Sequence, residues 1–300
     1  MHKPLNKPDL SGIARLHYEL AESCPIMGSC NLHLDQDQSS WDMHYALEFG
    51  LCYAGIEQRL FTNGFALDVK PGDAWFCGMW EPHGRKVIKT PCKVIVIKIW
   101  PPLIAQMRFA DAADFNAMAL FMAPASHRPR IPERLKGKML IYAKRLKEIL
   151  AADLPHHTFK LRAVVTEILL QIYECWPEAD SWKRRAPSTD FSQINQALQL
   201  VFDSHDFVST QVAARTCGMN RHSFGALFKA WMNIDFSDFA AKYRLSQATK
   251  QMLGTREPIK LIALQWGFTD ISHFHRAFKK HYGIPPHEYR GHFLGKRSGK

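Results

Sequence analysis

Two histidines and two acidic residues of this chain would hold a cation or a polar molecule if the strands carrying them line one interior. Asp42, His44 and Glu48 fall in the pattern Asp-x-His-x3-Glu, with Gly55 seven residues on, and His83 follows eleven residues after Gly72. Imidazole nitrogens and carboxylate oxygens are a donor set for a divalent transition metal. The same groups can instead hydrogen-bond a polar ligand, or each other, in a pocket that holds no metal. Residues 42, 44 and 48 share parity, so on a single strand their side chains point to one face. Trp41, Trp75, Phe76 and Trp80 crowd the same stretch. Aromatic walls with a few polar groups suit a small organic ligand, and each ring is equally readable as core. The chain shows no Ser/His/Asp nucleophile arrangement and no phosphate-cradling glycine loop, so an enzyme is not expected.

A second group of chemistry-bearing residues lies between Pro258 and Arg290. Ile259, Ile262 and Ala263 have helical spacing after a proline that a first helical turn tolerates. Gly267 breaks that helix, and Thr269 or Asp270 can cap the next. Phe274, Ala277 and Phe278 form a buried stripe on it, while Ser272, His275, Arg276 and Lys279 make a polar, cationic face. Two short helices around a tight glycine turn, the second with one buried and one basic face, describe a helix-turn-helix.

The unit is duplicated. Ala214-x3-Gly218-Met219 repeats forty-nine residues later as Ala263-x3-Gly267-Phe268, and the following helices end in Phe228-Lys229 and Phe278-Lys279. Between them Phe236 to Leu253 reads as one helix, with Phe239, Tyr243, Leu245 and Leu253 among its apolar positions. Such a rod is roughly 27 Å long, close to the roughly 34–36 Å between successive major grooves on one DNA face.

The remaining elements frame these groups. Residues 31–100 have β texture, with strand-like runs at 44–53 and 93–100 and turns at Asn63-Gly64 and Pro71-Gly72-Asp73. From Pro132 to Trp176 the period becomes helical. Leu135, Met139, Tyr142, Leu146 and Ile149 form one stripe; Phe159, Ala163, Thr166, Ile168, Leu169 and Ile172 form another. The two helices can pack within the chain or pair between chains. Pro177 to Asp190, which includes Lys183-Arg184-Arg185, reads as a linker.

The run from Gly267 through Ser272-His273-Phe274, Arg276-Ala277-Phe278-Lys279 and on to Glu288-Tyr289-Arg290 resembles the second helix-turn-helix of AraC/XylS-type transcriptional regulators, and the duplication supports the likeness. The 42/44/48/55 and 72/83 patterns resemble the two motifs of the cupin barrel, a fold such regulators commonly use to bind an effector. Asp42 stands where metal-binding cupins usually have His, and Gly78 and Trp80 replace the usual Pro and Gly of the second motif.

The resemblance implies an α+β two-domain protein. Residues 1–176 would form a cupin-like β-barrel with two following helices, residues 177–190 a linker, and residues 191–300 an all-α domain of two helix-turn-helix units joined by a long helix. It implies double-stranded DNA and RNA polymerase as partners, a homodimer, and activation in response to a small-molecule effector, with a sugar as first candidate. It assigns effector binding to Asp42, His44, Glu48, Trp80 and His83, without a metal or other cofactor. A metal-binding cupin enzyme or metal sensor is the alternative. Base reading falls to Asn220, Arg221, His222, Ile271, Ser272, His275 and Arg276, and phosphate contact to Lys229, Lys279, Lys280 and Arg290. Family reading positions also map onto Gly225 and Ala226, which offer no side-chain hydrogen bond to a base edge. Asn233 stands where the family usually has Gly, and Asn tolerates the left-handed conformation of such a turn.

Composition agrees with these expectations. The chain of 300 residues carries a formal charge of +11. From Asp190 onward fifteen Lys/Arg face eight Asp/Glu, so a net +7 is concentrated in the last 111 residues. A basic C-terminal third suits an anionic partner. Seven scattered cysteines with no C-x-x-C pair read as reduced and structural. No signal peptide or membrane-spanning run is visible, and the expected location is cytoplasmic.

Overall fold

The computed structural model describes residues 13–16, 18–36, 39–62, 64–107, 110–112, 115–152, 155–177, 192–232 and 234–297. The linker stretch after Pro177, Lys183-Arg184-Arg185, Asn63 and Asn233 lie outside the described residues. The chain divides into two compact units, Met1–Ser188 and Thr189–Lys300.

The first unit is built on one seven-stranded sheet: β1 (Ala14–Leu16), β2 (Ile26–His33), β3 (Ser39–His44), β4 (Leu47–Phe61), β5 (Ala66–Val69), β6 (Ala74–Cys77) and β7 (His83–Ile99). The long strands β4 and β7 pair antiparallel along their lengths and are shared by all the others except β1, which joins β3 in parallel. β3 pairs with the start of β7 (Asp42↔His83), β2 with its end (Ile26↔Ile99), and β5 and β6 with the two ends of β4. Bulges between Cys52 and Glu57 bend β4, as extra residues in one strand of a pair do. Gly55 sits in that bend at φ 73°, where a Cβ would lie 2.6 Å from the Cα of Cys92, so only glycine fits.

The expected strand across residues 44–53 is interrupted at Tyr45-Ala46. Asp42 and His44 therefore belong to β3 and Glu48 to β4, and the parity argument, which needed one strand, fails. The three side chains still converge: His44 Nε2 lies 3.7 Å from Asp42 and 3.3 Å from Glu48.

Short helices α1 (Pro101–Ala105) and α2 (Ala117–Met122) follow, then α3 (Glu133–Ala151) and α4 (His157–Glu174). α3 buries Met139, Tyr142, Ala143, Leu146 and Ile149, close to expectation. On α4 the buried stripe is Leu161, Val164, Val165, Ile168, Leu169 and Ile172. Phe159 is 60% exposed and Ala163 lies outward, so the stripe proposed for its first turns was rotated away from the true one. No helix among the described residues is long and apolar enough to cross a membrane.

Among the described residues the second unit is all helical: α5 (Ser192–Asp203), α6 (Thr210–Thr216), α7 (Arg221–Met232), α8 (Phe236–Gly254), α9 (Ile259–Gln265), α10 (Ile271–Tyr282) and α11 (Pro286–Arg297). α8 is the expected long spacer. It buries Phe236, Phe239, Ala240, Tyr243, Leu245, Ala248 and Met252, and the Tyr243 hydroxyl donates to the Phe202 carbonyl at 3.0 Å, holding α5 to the spacer.

Candidate nucleic-acid interface and ligand cavity

The two helix-turn-helix units share their backbone down to individual hydrogen bonds. Gly218 has φ 65° and Gly267 φ 68°. In the first unit the N–H groups of Gly218 and Met219 donate to the carbonyls of Arg215 (3.0 Å) and Ala214 (2.8 Å). In the second, those of Gly267 and Phe268 donate to Leu264 (3.0 Å) and Ala263 (2.9 Å). A left-handed glycine after a helix satisfies the last carbonyls while reversing the chain. Ala214 and Ala263 are buried where helix meets helix.

Each second helix is capped by the residue before it. Asn220 Oδ1 accepts from the Ser223 N–H at 2.9 Å; Asp270 accepts from Ser272 (2.8 Å) and His273 (3.1 Å). These bonds satisfy donors that a helix start leaves open. Asn220 therefore spends its side-chain oxygen on its own helix, a role the base-reading assignment overlooked.

The outer faces differ. Along α10, Ser272, His275, Arg276, Lys279 and Lys280 are exposed, while Phe274 and Phe278 are fully buried. Ile271, assigned to base reading, is half-buried and packs on the core with Ala277. Along α7, Arg221, His222, Ala226 and Lys229 are exposed and Gly225 is half-buried with open space at its Cβ position. Arg221, His222, Gly225, Ala226 and Lys229 line a shallow depression together with Asp235 and Ser237, and Lys229 is 3.2 Å from Asp235. Arg290 is turned inward: its Nε donates to the Met252 carbonyl at 3.1 Å, tying α11 to the end of α8. That bond gives Arg290 a scaffold role that the phosphate assignment did not foresee.

In the first unit Asp42, His44, Glu48 and His83 do meet, around residues the sequence did not single out. Glu48 is at the centre. Its Oε1 accepts from Arg59 Nη2 (3.0 Å) and Trp75 Nε1 (2.8 Å), and its Oε2 from the Lys98 ammonium. Burial raises the Glu48 pKa, but Lys98, His83 and Arg59 outweigh it and hold the carboxyl well below the usual range.

His44 Nδ1 lies 2.9 Å from the Ala46 carbonyl and Nε2 2.9 Å from Lys98 Nζ. An ammonium can only donate, so His44 is the neutral tautomer with its proton on Nδ1. Burial and then Lys98 push its pKa down to about 4.

His83 is the opposite case. Its Nδ1 faces the Glu81 carbonyl at 2.8 Å, and its Nε2 faces Asp42 at 3.0 Å and Glu48 at 3.3 Å. Two carboxylates at ion-pair distance from Nε2 and a carbonyl at Nδ1 favour the imidazolium form. Burial opposes that charge, and the Cys77 sulfur, Glu48 and Asp42 overcome it, holding the pKa well above the ordinary value. Asp42 feels burial upward and His83 downward, and ends below its usual range.

A cavity of about 370 Å³ opens beside this cluster, lined by Asp42 and Glu48 but not by His44 or His83, which stand behind them. Trp80 does not line it. That residue is buried at φ 52°, its N–H donates to the His44 carbonyl at 2.7 Å, and its ring packs on Tyr45. Trp75 is core, with the Arg59 guanidinium 4.7 Å from its ring centre. Among the described residues, donor atoms of Asp42, His44 and His83, and of Glu48, Cys77 and His83, lie within 4.8 Å of one another. Lys98 already sits between Glu48 and His44 as the local cation, so a divalent ion entering there would meet a fixed ammonium and the His83 charge.

A family profile described as "Helix-turn-helix domain" matches residues 213–292. The HTH-type transcriptional activator RhaR of Mannheimia succiniciproducens is 29% identical over 106 residues, 35% of this chain and 36% of that protein. The arabinose operon regulatory protein of Salmonella typhimurium is 29% identical over 195 residues, 64% of this chain and 60% of that protein. The aligned part is thus less than two thirds of either relative. Among solved structures, ToxT from Vibrio cholerae O395 covers 90% of this chain and 99% of its own at TM-score 0.50 and 11% identity, a likeness of fold. The chain thus carries a helix-turn-helix domain over residues 213–292 and is similar there to AraC-type regulators.

Proposed function

We propose that the protein is a sequence-specific DNA-binding transcriptional regulator, an activator acting in the cytoplasm, that responds to a small polar effector. The observation that carries this reading is the pair of turns at Gly218 and Gly267, alike in φ and hydrogen bonding, each leading into a helix with exposed cationic residues. Two such helices on one spacer of about DNA pitch suit successive major grooves. Residues 191–300 bind DNA in this scheme, residues 1–176 form a cupin-like barrel that binds effector, and 177–190 link them.

On α10, Ser272, His275 and Arg276 read bases, with Arg276 placed to bond a guanine bidentately. On α7, Arg221 and His222 read, and Gly225 and Ala226 supply close approach or contact with a thymine methyl. Lys229, Lys279 and Lys280 meet phosphates, which position the protein without reading sequence. The cavity beside Asp42 and Glu48 holds the effector, with His44 and His83 fixing those carboxylates from behind. A ToxT structure of the same fold has an unsaturated fatty acid bound, which supports ligand binding by a protein of this architecture. Effector binding then biases a homodimer that engages DNA and RNA polymerase, by favouring one of two arrangements over the other.

Selection of binding sites from randomised DNA tests the reading. Arg276→Ala is expected to weaken the selected site by about 1–3 kcal/mol more than random DNA; equal loss on both would reduce Arg276 to a charge. A metal sensor is the second reading, favoured by the donor atoms around His83. Stoichiometric divalent metal in purified protein, lost on His44→Ala, would establish it.

A further inference from the structure

The cavity of the first unit is lined by three cations, Arg59, Arg85 and Lys98, and three carboxylates, Asp42, Glu48 and Glu57. Among the described residues two buried carboxylate oxygens lack a hydrogen-bond partner: Asp42 Oδ1, which stands 3.0 Å from His83 Nε2, and Glu57 Oε2, which faces no cation so closely. Glu48 is saturated by Arg59, Trp75 and Lys98, and Asp42 is paired with His83. Glu57 is fully buried. Its Oε1 accepts from Arg59 Nη1 at 3.1 Å, but its Oε2 has no hydrogen-bond partner, the nearest cationic or imidazole nitrogen recorded being His33 Nε2 at 3.9 Å. At the edge of the same cavity stands Arg85. Its Nε donates to the Ser40 hydroxyl at 3.0 Å and Nη1 abuts the His33 ring, yet it has no carboxylate partner among the described residues. Between Glu57 and Arg85 the wall offers short neutral hydrogen-bonding side chains, Ser29, Asn31 and Ser40, and an apolar patch of Met27, Val94 and Val96.

A buried acceptor without a donor is costly, and so is a half-buried guanidinium without an anion. One molecule relieves both if it presents a carboxylate to Arg85 and a hydroxyl to Glu57 Oε2. We propose that the effector is a small polyhydroxylated monocarboxylate, of the sugar-acid class, bound with its carboxylate on Arg85 and a hydroxyl donating to Glu57 Oε2. This rests on the effector reading above and names the chemistry of that site. A neutral polyol fills the hydroxyl contacts but leaves Arg85 unpaired. An ammonium ligand suits Glu57 but meets Arg85 and Lys98. A long acyl chain finds only the small patch around Val94 and Val96 in a cavity of about 370 Å³.

The test uses the full-length protein in a thermal-shift assay against three matched panels: aldonates of four to six carbons such as D-gluconate, the corresponding alditols such as sorbitol, and plain carboxylates such as hexanoate. Operator affinity is measured alongside. An aldonate is expected to raise the Tm where its alditol and its plain acid do not. Arg85→Gln is expected to lose about tenfold or more in its affinity, Arg85→Lys to recover part of it, and Glu57→Gln to weaken it without abolishing it. If Glu57→Gln fails to fold, the Arg85 series at the half-buried rim carries the test alone. Alditols acting where aldonates fail, or an aldonate whose affinity ignores Arg85→Gln, would overturn the acid assignment and leave the effector reading standing. An aldonate that binds through Arg85 without altering operator affinity would keep the assignment and remove the effector reading. No shift from any panel would overturn the assignment.

Discussion

Arg244, on the spacer helix α8, donates a hydrogen bond from Nη1 to the carbonyl of Gly267 at 3.1 Å, the residue whose left-handed backbone makes the turn of the second helix-turn-helix. The same nitrogen reaches the Trp266 carbonyl at 3.4 Å, and the guanidinium lies 5.1 Å from the Phe207 ring and 4.9 Å from the Phe268 ring. About two turns along, Gln251 accepts from the Trp266 indole at 2.7 Å. The spacer therefore grips the turn itself, which fixes the direction in which α10 leaves.

Replacing Arg244 with Met keeps much of the packing and deletes the charged donor. We expect a loss of about 2–3 kcal/mol in the stability of the second unit, read as a lower urea midpoint with unchanged slope, and weaker binding to the selected site. A change within about 0.5 kcal/mol would show that the turn is held without Arg244.

The two turn glycines should respond unequally to the same substitution. Both need φ near +65°, which costs a side chain roughly 1–2 kcal/mol. A Cβ on Gly218 meets nothing within 4 Å, whereas on Gly267 it lies 3.1 Å from Asp206 Cα and from Phe207 N. Gly267→Ala is expected to destabilise the protein more than Gly218→Ala, by calorimetry or denaturant titration. Equal losses would mean that backbone strain alone matters at both sites.

Acidification should weaken the first unit in a window set by His44. In the fold its pKa is about 4, against 6.5 ordinarily. As pH falls from 6.5 towards 4 the unfolded chain takes up a proton that the folded chain refuses, so stability is lost by up to about 3 kcal/mol. His83 does not offset this, because a raised pKa adds stability that is already complete below 6.5 and fades only as pH rises through the folded value. His44→Gln should flatten the fall in unfolding midpoint between pH 6.5 and 4.5; an unaltered slope would place the proton uptake elsewhere.

What the sequence disclosed and what it hid follow from how far apart the partners lie. The paired turns were legible because Ala214/Gly218 and Ala263/Gly267 carry their meaning locally: a small residue for close helix approach and a glycine for positive φ. Asp42, His44, Glu48 and His83 were legible as a spacing pattern. The residues that give that cluster its chemistry were not. Lys98 stands fifty residues from Glu48, in a run that otherwise reads as apolar strand; Arg59 and Glu57 lie past a bulge that scrambles the alternation. Their signal was a charge inside a strand pattern, which only pairing along β4 and β7 turns into a contact. Trp80 misled for the converse reason: an aromatic near a motif looks like a pocket wall, whereas its backbone turn sends the ring onto Tyr45. Asn220 and Arg290 were polar and near the expected interface, and each is occupied by its own scaffold.

Charge contacts on DNA are separable from reading contacts by salt. Lys279→Ala should lower affinity on all sequences and reduce the slope of log K against log salt by about one contact. An unchanged slope would take Lys279 out of the phosphate set.

The central claim is that one chain presents two groove-entering helices on a stiff spacer. Hydroxyl-radical footprinting of the full-length protein on a selected site measures this most directly. Two protected patches on one DNA face, about 10–10.5 base pairs apart for each copy bound, are expected. Protection confined to a single groove per copy, with salt-insensitive binding and no preferred sequence, would contradict it.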